Sequence, residues 1–329
     1  MLTEKMLSAV VVCYKDEGNI RALYDRLSAV LAEITPRYEI IYVNDASPDA
    51  SGQILRELAS RDPHLTVINQ SRNFGAQAAF TAGMVQALGD AVILMDGDLQ
   101  DPPELIKEFV QRWKEGNDVV YGVRKKREHS MGKINEWLYH KFYVFFHRLS
   151  YVKPPMDAGE FSLMDRKVVD LINALPERNR LLRGLRAWVG FKQVGVEYVR
   201  PERFSGVSTN SFFRNIRWAK KAIFSFSFAP LEWVTYFASF VVFLSAIGMI
   251  FYITVFFLYP DAPRGMTTVF VLVLFLGGVQ LLSLSIIAEY IGYIFEEVKE
   301  RPRYISREIL NDHRMEQRKQ AGEALPHAE

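Results

Sequence analysis

At residues 91–100 the chain reads Ala91-Val92-Ile93-Leu94-Met95-Asp96-Gly97-Asp98-Leu99-Gln100. The five apolar residues are typical of a buried strand in a parallel sheet, and two carboxylates follow at its end. Because Gly97 lets the chain turn between Asp96 and Asp98, both carboxylates can face one divalent cation. Oxygen ligands of this kind suit Mg2+ or Mn2+ and, through the cation, a diphosphate; Gln100 offers a further oxygen. An isolated Asp-x-Asp is more often a plain acidic loop. The surrounding sequence is therefore needed to distinguish such a loop from a metal site.

Segments typical of strands and helices alternate through the first 125 residues. The patterns predict strands over 7–13, 38–43, 65–69 and 91–95, and helices over 20–34, 51–60 and 76–88. Buried strands that alternate with helices form a parallel sheet with right-handed crossovers. The sequence therefore predicts an α/β, Rossmann-like fold with a mostly parallel sheet.

Polar motifs follow three of these predicted strands. They are Tyr14-Lys15-Asp16-Glu17, Asn44-Asp45-Ala46-Ser47 and Asp96-Gly97-Asp98. Ligands of such sheets bind beyond the carboxyl ends of the strands, so the three motifs are expected to converge at one edge. Loops that bind no ligand would not need to place three polar motifs at the same edge of the sheet. The sequence therefore predicts a binding site at that edge.

Charge is distributed unevenly along the 329 residues, although the formal net charge is only +2. That balance argues against a nucleic-acid-binding surface spread over the protein. Residues 233–260 and 265–288 contain no charged side chain, and each run exceeds the roughly 20 apolar residues that a helix needs to cross a bilayer. We therefore predict two transmembrane helices, at 233–258 and 266–288, joined as a hairpin by a polar turn at 261–264.

Basic residues flank this predicted hairpin on both sides, whereas the turn carries only Arg264. The flanking residues are Arg214, Arg217, Lys220 and Lys221 before it, and Lys299, Arg301, Arg303 and Arg307 after it. The positive-inside rule therefore places both termini in the cytoplasm. No secretory signal pattern is visible near Met1, and the lone Cys13 in a predicted strand fits a reducing compartment.

Two further segments combine apolar and basic residues at helical spacing. Residues 208–227 predict a juxtamembrane amphipathic helix that lies either on the cytoplasmic leaflet or on the soluble domain. Residues 134–149 are rich in aromatic residues and suit either the membrane or a core. The tail after Asn311 is polar, and we expect it to be disordered.

Several motifs follow one another along the chain before the paired apolar segments. They are Tyr14-Lys15-Asp16-Glu17-Gly18-Asn19-Ile20, Val43-Asn44-Asp45-Ala46-Ser47-Pro48-Asp49, Arg72-Asn73-Phe74-Gly75 with Ala82-Gly83, Met95-Asp96-Gly97-Asp98-Leu99-Gln100-Asp101-Pro102-Pro103, and Asp157-Ala158-Gly159-Glu160-Phe161. Together they resemble family 2 glycosyltransferases of GT-A fold. Within that family the resemblance is to polyisoprenyl-phosphate glycosyltransferases, which include dolichol-phosphate mannose synthases and bacterial undecaprenyl-phosphate glucosyltransferases.

The resemblance implies a domain organisation. Residues 1–207 would form a cytoplasmic GT-A domain and 208–228 the juxtamembrane amphipathic helix. Residues 229–292 would hold the two transmembrane helices, and 293–329 a cytoplasmic helix and tail. The protein would be an integral protein of the cell (inner) membrane.

The resemblance also implies a donor site. Its metal, Mg2+ or Mn2+, would be held by Asp96, Asp98 and Gln100. The nucleotide sugar would contact Tyr14, Glu17, Asp45, Asp96 and Arg124. Asp98 is also a candidate catalytic residue, because a cation stabilises the charge that builds on a departing diphosphate.

The acceptor side of the implied site depends on cationic side chains and one carboxylate. The phosphate of the acceptor would meet Arg124, Arg127, Arg200 and Arg203. Arg180 and Arg183 are further candidates that suit a helix surface equally well, and the alternative for Arg124 is a solvated surface charge. Asp157 is the candidate catalytic base, and Glu160 is the alternative. Since a phosphate acceptor is already largely ionised at neutral pH, Asp157 either deprotonates it or only orients acceptor or sugar.

The chain departs from the family pattern at two places. Ser162 stands where the family often has arginine, and a Ser-Lys-Tyr element is missing after Arg203. The expected reaction is nevertheless an inverting transfer of a hexose, first of all glucose from UDP-glucose, to undecaprenyl phosphate. GDP-mannose or a modified UDP-pentose as donor, a processive polysaccharide synthase and a non-catalytic membrane adaptor are the alternatives. A homo-oligomer, with a tetramer as the first expectation, is predicted from the small residues of the second apolar run.

Overall fold

The computed structural model describes residues 1–125, 158–199, 227–258 and 265–315. Strands β1 to β8 are Leu7–Cys13, Tyr38–Asn44, Leu65–Gln70, Ala91–Asp96, Val119–Arg124, Ala158–Asp165, Gln193–Tyr198 and Ser306–Leu310. Helices α1 to α8 are Ile20–Ile34, Ser51–Ala59, Ala76–Gln86, Ile106–Lys114, Arg166–Ala174, Leu182–Trp188, Ala229–Leu258 and Met266–Val298. A 3-10 helix at Pro103–Leu105 precedes α4.

The strands of the described residues form one sheet in the order β7-β5-β6-β4-β1-β2-β3-β8. β1 pairs in parallel with β2 and β4, and β2 pairs in parallel with β3. β6 runs antiparallel to β4 and β5, β7 is parallel to β5, and β8 is antiparallel to β3. The predicted α/β fold with a mostly parallel sheet is confirmed.

The core lies between the central strands and the helices that cover them. Every residue of β1 is buried, as expected for a parallel strand with helices on both faces. α1 turns Leu23, Leu27 and Leu31 into this core, at the spacing that places them on one helical face. The predicted bounds of α1 and β1 agree with the structure. α3 ends at Gln86, two residues before its predicted end, because Ala87 is extended.

α7 and α8 belong to a second folded unit. Each contains a 27-residue segment, Ala229–Val255 and Leu272–Val298, that is long and apolar enough to cross a membrane. At about 1.5 Å per residue such a segment exceeds the roughly 30 Å of the hydrocarbon layer. The Tyr290 hydroxyl donates to the Ser227 carbonyl at 2.7 Å, so the end of α8 lies beside the start of α7, as in the predicted hairpin. The turn at 261–264 lies outside the described residues.

The chain after α8 forms a strand where a cytoplasmic helix and tail were predicted, and the tail residues 316–329 lie outside the described residues. α8 ends at Val298, and β8 then adds to the free edge of β3, with Glu308 opposite Asn69. His313 also contacts the sheet domain, through the Pro63 carbonyl. Residues 301–315 therefore belong to the same folded unit as the N-terminal domain. A five-residue strand whose partner precedes it by about 240 residues leaves no local pattern by which the sequence could show this pairing.

Candidate active site

The carboxyl ends of β1, β2 and β4 lie next to one another at one edge of the sheet. The register pairs Cys13 with Asn44 and Val12 with Asp96. The motifs that follow these strands therefore leave the sheet side by side. The structure thus brings the three predicted polar motifs together.

Each of these three strands is followed by a non-glycine residue in the left-handed backbone region. These residues are Lys15 with φ 61°, Ala46 with φ 53° and Leu99 with φ 59°. Such conformations cost free energy for residues other than glycine, and they are concentrated at functional sites. Their clustering at one edge favours a binding site over plain connections between strands and helices.

The acidic pair after β4 is held close to β1. The Gly97 N–H donates to the Val12 carbonyl at 2.9 Å, and a Cβ on Gly97 would lie only 2.8 Å from that oxygen. Asp98 is 9% exposed, and its Oδ1 accepts a hydrogen bond from the Gln100 N–H at 3.1 Å. Only glycine permits this close turn, so the spacing of the two carboxylates depends on it.

The predicted metal ligands fit a cation that the substrate helps to hold. Among the described residues no three His, Cys, Asp or Glu side chains form a metal-binding group. Asp96 and Asp98 supply two carboxylates and Gln100 an amide oxygen. Mg2+ in phosphate-handling sites is commonly bound by one or two carboxylates together with substrate phosphates and water. The donor set therefore fits a cation bound with a diphosphate, rather than a cage made only of protein ligands.

Asp45 holds the loop that leads from β3 into α3. The side chain is 2% exposed, and its two oxygens accept hydrogen bonds from the Phe74 N–H at 2.7 Å and the Gly75 N–H at 2.9 Å. Burial raises the pKa of Asp45, against the lowering effect of the two N–H groups and Arg72. Each carboxylate oxygen can accept a second hydrogen bond, so these contacts leave room for a nucleotide. The contact of Asp45 with a nucleotide stays a prediction.

Glu17 and Tyr14 occupy the loop after β1. The Glu17 carboxylate accepts from the Ala50 N–H at 2.8 Å, just before α2 begins at Ser51. Its own N–H donates to Asp49 at 3.3 Å. The Tyr14 side chain is 40% exposed and is open to a ligand. The structure therefore gives Glu17 a role in joining the loops after β1 and β2, and leaves its predicted contact with the donor untested.

Arg124 lies at the end of β5, on the same edge of the sheet. Its Nε donates to the Tyr198 hydroxyl at 3.4 Å, and that hydroxyl donates to the fully buried Asp101 at 2.5 Å. Burial would lower the pKa of Arg124, but Asp101, Tyr198 and Asp96 outweigh it and raise the pKa. A Cβ on residue 159 would lie 2.6 Å from Arg124 Nη2, so Gly159 makes room for the guanidinium.

Tyr198 and Asp101 contact the candidate site, although the sequence predicted no role for either residue. Burial and the neighbouring Asp101 raise the pKa of the Tyr198 phenol, so it remains a hydrogen-bond donor. Asp101 directly follows the acidic motif, and this position is the one sequence signal that could have identified it. Tyr198 carries no motif, and β7 reaches Arg124 only through the pairing of β5 with β7.

Removing the Tyr198 hydroxyl is expected to disturb both stability and the site. In Tyr198→Phe the buried Asp101 loses a donor, which should lower the free energy of unfolding by about 1–2 kcal/mol. The substitution should also lower kcat/KM. The Tyr198 hydroxyl lies between Arg124 and Asp101, so without it the guanidinium is free to shift toward Asp101. Tyr24→Phe is the matched control. The Tyr24 hydroxyl also donates to a carboxylate, that of Asp62 at 2.6 Å, but this bond does not involve the residues of the candidate site. Equal effects of the two variants on kcat/KM would contradict this role.

Glu160, the alternative catalytic base, belongs to a largely buried network. Its carboxylate accepts from Gln77 Nε2 at 3.0 Å and pairs with Arg183 at 3.6 Å. Arg186 is 2% exposed, lies over the Tyr121 ring, and has its pKa lowered to about 10 by burial. These contacts hold Glu160 and Arg183 in one network, and the role of Glu160 as a base stays a prediction.

The departure at Ser162 has a counterpart in this network. Ser162 and Arg186 line one small cavity together with Glu160. The family's arginine would come from β6, whereas here a guanidinium reaches the cavity from α6. A guanidinium therefore lies near Glu160 although residue 162 is serine.

Arg180, a candidate for phosphate binding, caps a helix instead. It is 3% exposed, and its Nη2 donates to the carbonyls of Ile172, Asn173 and Leu175 at 2.9, 3.3 and 2.8 Å. These carbonyls lie in the last turn of α5 and at Leu175, which directly follows it, and carbonyls at a helix end lack partners within the helix. The guanidinium is thus engaged in holding the end of α5.

Arg180→Met should therefore lower stability and leave the chemistry almost intact. Loss of the bonds to the end of α5 is expected to cost about 2–4 kcal/mol in the free energy of unfolding, measured by denaturation. Arg112→Met is the control, because Arg112 pairs only with exposed Glu108 and Glu115 among the ion pairs of the described residues. A large loss of kcat at unchanged stability would restore the phosphate-binding interpretation.

The remaining predicted site residues lie outside the described residues. They are Asp157, Arg127, Arg200 and Arg203. The amphipathic segment predicted at 134–149 lies outside them as well, as does the segment predicted at 208–227 up to residue 226. Their roles stay predictions.

Comparison with known proteins places the chain among glycosyltransferases. Residues 8–172 match the family described as Glycosyl transferase family 2. An uncharacterized glycosyltransferase of Synechocystis sp. is 42% identical over 300 residues, which cover 91% of this chain and 94% of that protein. The SfII prophage-derived bactoprenol glucosyl transferase of Shigella flexneri is 38% identical over 309 residues, covering 94% and 98%.

One solved structure illustrates the wider set of similar folds. Glucosyl-3-phosphoglycerate synthase from Mycobacterium tuberculosis, in complex with Mn2+, uridine-diphosphate-glucose and phosphoglyceric acid, is 17% identical to this chain. The match has a TM-score of 0.44 and covers 67% of this chain and 78% of that protein.

Proposed function

The chain belongs to glycosyltransferase family 2, and we propose that it transfers a hexose from a nucleotide diphosphate to a polyprenyl phosphate at a membrane. It is a glycosyltransferase, and the predicted GT-A class of its sheet domain is confirmed. Relatives named bactoprenol glucosyl transferase match nearly their whole length. Their names favour glucose as the sugar and a bactoprenol-type polyprenyl carrier as the acceptor. We propose UDP-glucose as the donor and undecaprenyl phosphate as the acceptor.

The observation that carries this proposal is the convergence at one edge of the sheet. The strained loops after β1, β2 and β4, the acidic pair and Arg124 all lie at that edge. Carboxylates and a guanidinium close to one another suit a cation–diphosphate pair beside a second anion. A nucleotide sugar and a lipid phosphate bring these charges together.

The membrane side of the proposal is supported by the course of the chain. Residues 158–199, before α7, and residues 301–315, after α8, belong to one folded unit. If α7 and α8 span a bilayer, both ends of the pair must therefore lie on the side of the sheet domain. The basic flanks favour the cytoplasmic side. We propose that this is the inner membrane of the cell, with the acceptor's phosphate at its cytoplasmic face.

In the proposed reaction, a phosphate oxygen of the lipid attacks the anomeric carbon of the hexose. The bond from that carbon to the nucleoside diphosphate breaks on the opposite face, so the configuration inverts and the diphosphate leaves with the electron pair. A divalent cation held by Asp96, Asp98 and Gln100 would supply positive charge for the departing diphosphate. Arg124 supplies a fixed positive charge at the same edge.

A donor screen with undecaprenyl phosphate tests the proposal. The purified full chain is incubated with Mg2+, undecaprenyl phosphate and UDP-glucose, GDP-mannose or a UDP-pentose, and the mass of the extracted lipid is measured. We expect one hexose on the lipid phosphate with UDP-glucose. A polymer would indicate a processive synthase, and no transfer from any donor would indicate a non-catalytic adaptor. The predicted tetramer stays a prediction.

A further inference from the structure

The segment that follows the membrane helices completes the sheet edge next to the donor site. We name residues 301–315 the C-terminal strap. Its β8 pairs with β3, and the Ser71 N–H donates to the Ile305 carbonyl at 2.9 Å. The Asn311 Nδ2 reaches the Ala59 and Leu65 carbonyls at 2.8 and 2.9 Å. The strap is therefore firmly attached to the domain that carries the site.

One side chain of the strap continues into the sheet. Glu308 Oε2 accepts a hydrogen bond from Asn69 Nδ2 at 3.2 Å, and Asn69 Oδ1 accepts one from Asn44 Nδ2 at 2.9 Å. Asn69 and Asn44 are 9% and 5% exposed and lie opposite each other in register. Each asparagine has one amide oxygen that accepts and one amide nitrogen that donates. The orientation of the Asn69 amide, fixed by Glu308, therefore fixes the orientation of the Asn44 amide.

The same series of hydrogen bonds ends in two of the strained loops. Asn44 Oδ1 accepts from the Ser47 N–H at 3.0 Å, and Ser47 Oγ accepts from the Lys15 N–H at 3.1 Å. Lys15 is one of the left-handed residues at the edge. The series from Glu308 to Lys15 therefore joins the strap to the loops after β2 and β1. We name it the Glu308 relay.

We propose that Glu308 is a positioning residue for the nucleotide-sugar donor, acting through the Glu308 relay on the loops that hold Tyr14, Glu17 and Asp45. Asn69 needs an acceptor at its Nδ2 to keep its Oδ1 turned toward Asn44, and the strap supplies that acceptor. The donor site is then complete only in a chain that has passed through both apolar helices and returned to the sheet. This inference rests on the proposed function, because it assigns the donor to these loops.

The other partner of Glu308 provides a control. Arg56 Nη2 pairs with Glu308 Oε2 at 2.8 Å, with the two side chains 60% and 39% exposed. Exposed pairs of this kind contribute little to stability. Arg56→Met therefore removes a partner of Glu308 while leaving the bond from Asn69 in place.

The test compares Glu308→Ala, Glu308→Leu, Glu308→Gln and Arg56→Met in the full chain. In the Ala and Leu variants we expect KM for UDP-glucose to rise about three- to tenfold, the effect of one lost hydrogen bond, with kcat within about twofold. Glu308→Gln keeps an acceptor oxygen for Asn69 and should restore KM, and Arg56→Met should leave it unchanged. A KM that stays at the wild-type value in the Ala and Leu variants would overturn the inference, as would an equal rise in Arg56→Met.

Amide hydrogen exchange gives a readout that needs no donor. In peptides covering residues 14–19 and 44–50, Glu308→Ala should exchange faster than wild type at the Lys15 and Ser47 N–H groups, whereas Arg56→Met should not. Unchanged exchange in Glu308→Ala would overturn the relay even if transfer is observed. If the wild type transfers no sugar but exchange responds as expected, the proposed function fails and the relay stands as a structural connection only.

Discussion

Asp96→Asn and Asp98→Asn are each expected to lower kcat for hexose transfer by about 100-fold or more, the size of effect seen when a group that stabilises developing charge is removed. Both carboxylates follow β4 at the edge where the strained loops meet. Asparagine keeps the shape and removes the negative charge that a divalent cation requires. The measurement is the initial rate of glucose transfer to undecaprenyl phosphate at saturating donor.

Two comparisons make this result specific to the edge of the sheet. Asp90→Asn places the same substitution at the opposite end of β4, where Asp90 accepts from the Met6 N–H at 2.8 Å, and it should keep kcat within about twofold. The concentration of Mn2+ needed for half-maximal rate should rise in the Asp96 and Asp98 variants and stay constant in the control. Full activity of both edge variants at low Mn2+ would remove these residues from the proposed metal site.

Asp45→Ala is expected to weaken both the fold and donor binding. The substitution leaves the half-buried Phe74 and Gly75 N–H groups without their carboxylate partner, which should cost about 2–4 kcal/mol in the free energy of unfolding. Because the loop after β3 then loses its position, UDP should bind at least about tenfold more weakly, as measured by calorimetry with Mg2+ present.

The conservative variant separates these two effects. Asp45→Asn retains one acceptor oxygen for the loop and should recover part of the stability. Its amide nitrogen would face a second N–H donor, so recovery should be incomplete. Asp49→Ala, at a neighbouring loop position where Asp49 accepts from the Glu17 and Ser51 N–H groups, shows what loss of a loop bond alone does. Wild-type binding of UDP by Asp45→Ala would show that Asp45 and its loop do not form the donor site.

The sequence was sufficient for the elements whose pattern is local. β1 and the helix α1 are a continuous apolar run and an amphipathic period, and both occur within their predicted bounds. The convergence of the polar motifs also followed from the sequence, because parallel strands put their carboxyl ends at one edge.

What the sequence could not show depends on distant pairings. β8 is a short strand whose only mark is its pairing with β3, and no periodicity identifies Glu308 as the partner of Asn69. Arg180 was a candidate for phosphate binding, since the carbonyls at the end of α5 that it caps become its neighbours only in the fold. The same holds for Tyr198, which meets Asp101 across 97 residues of chain.

The central claim is that the acidic pair after β4 holds a divalent cation on the diphosphate of a nucleotide sugar. Mn2+ bound to the full chain with UDP can be examined by pulsed electron–nuclear double resonance at the phosphorus frequency. We predict a phosphorus coupling in the wild type that is lost in Asp96→Asn and Asp98→Asn. Bound Mn2+ without phosphorus coupling in the wild type, or the same coupling in both variants, would contradict the claim.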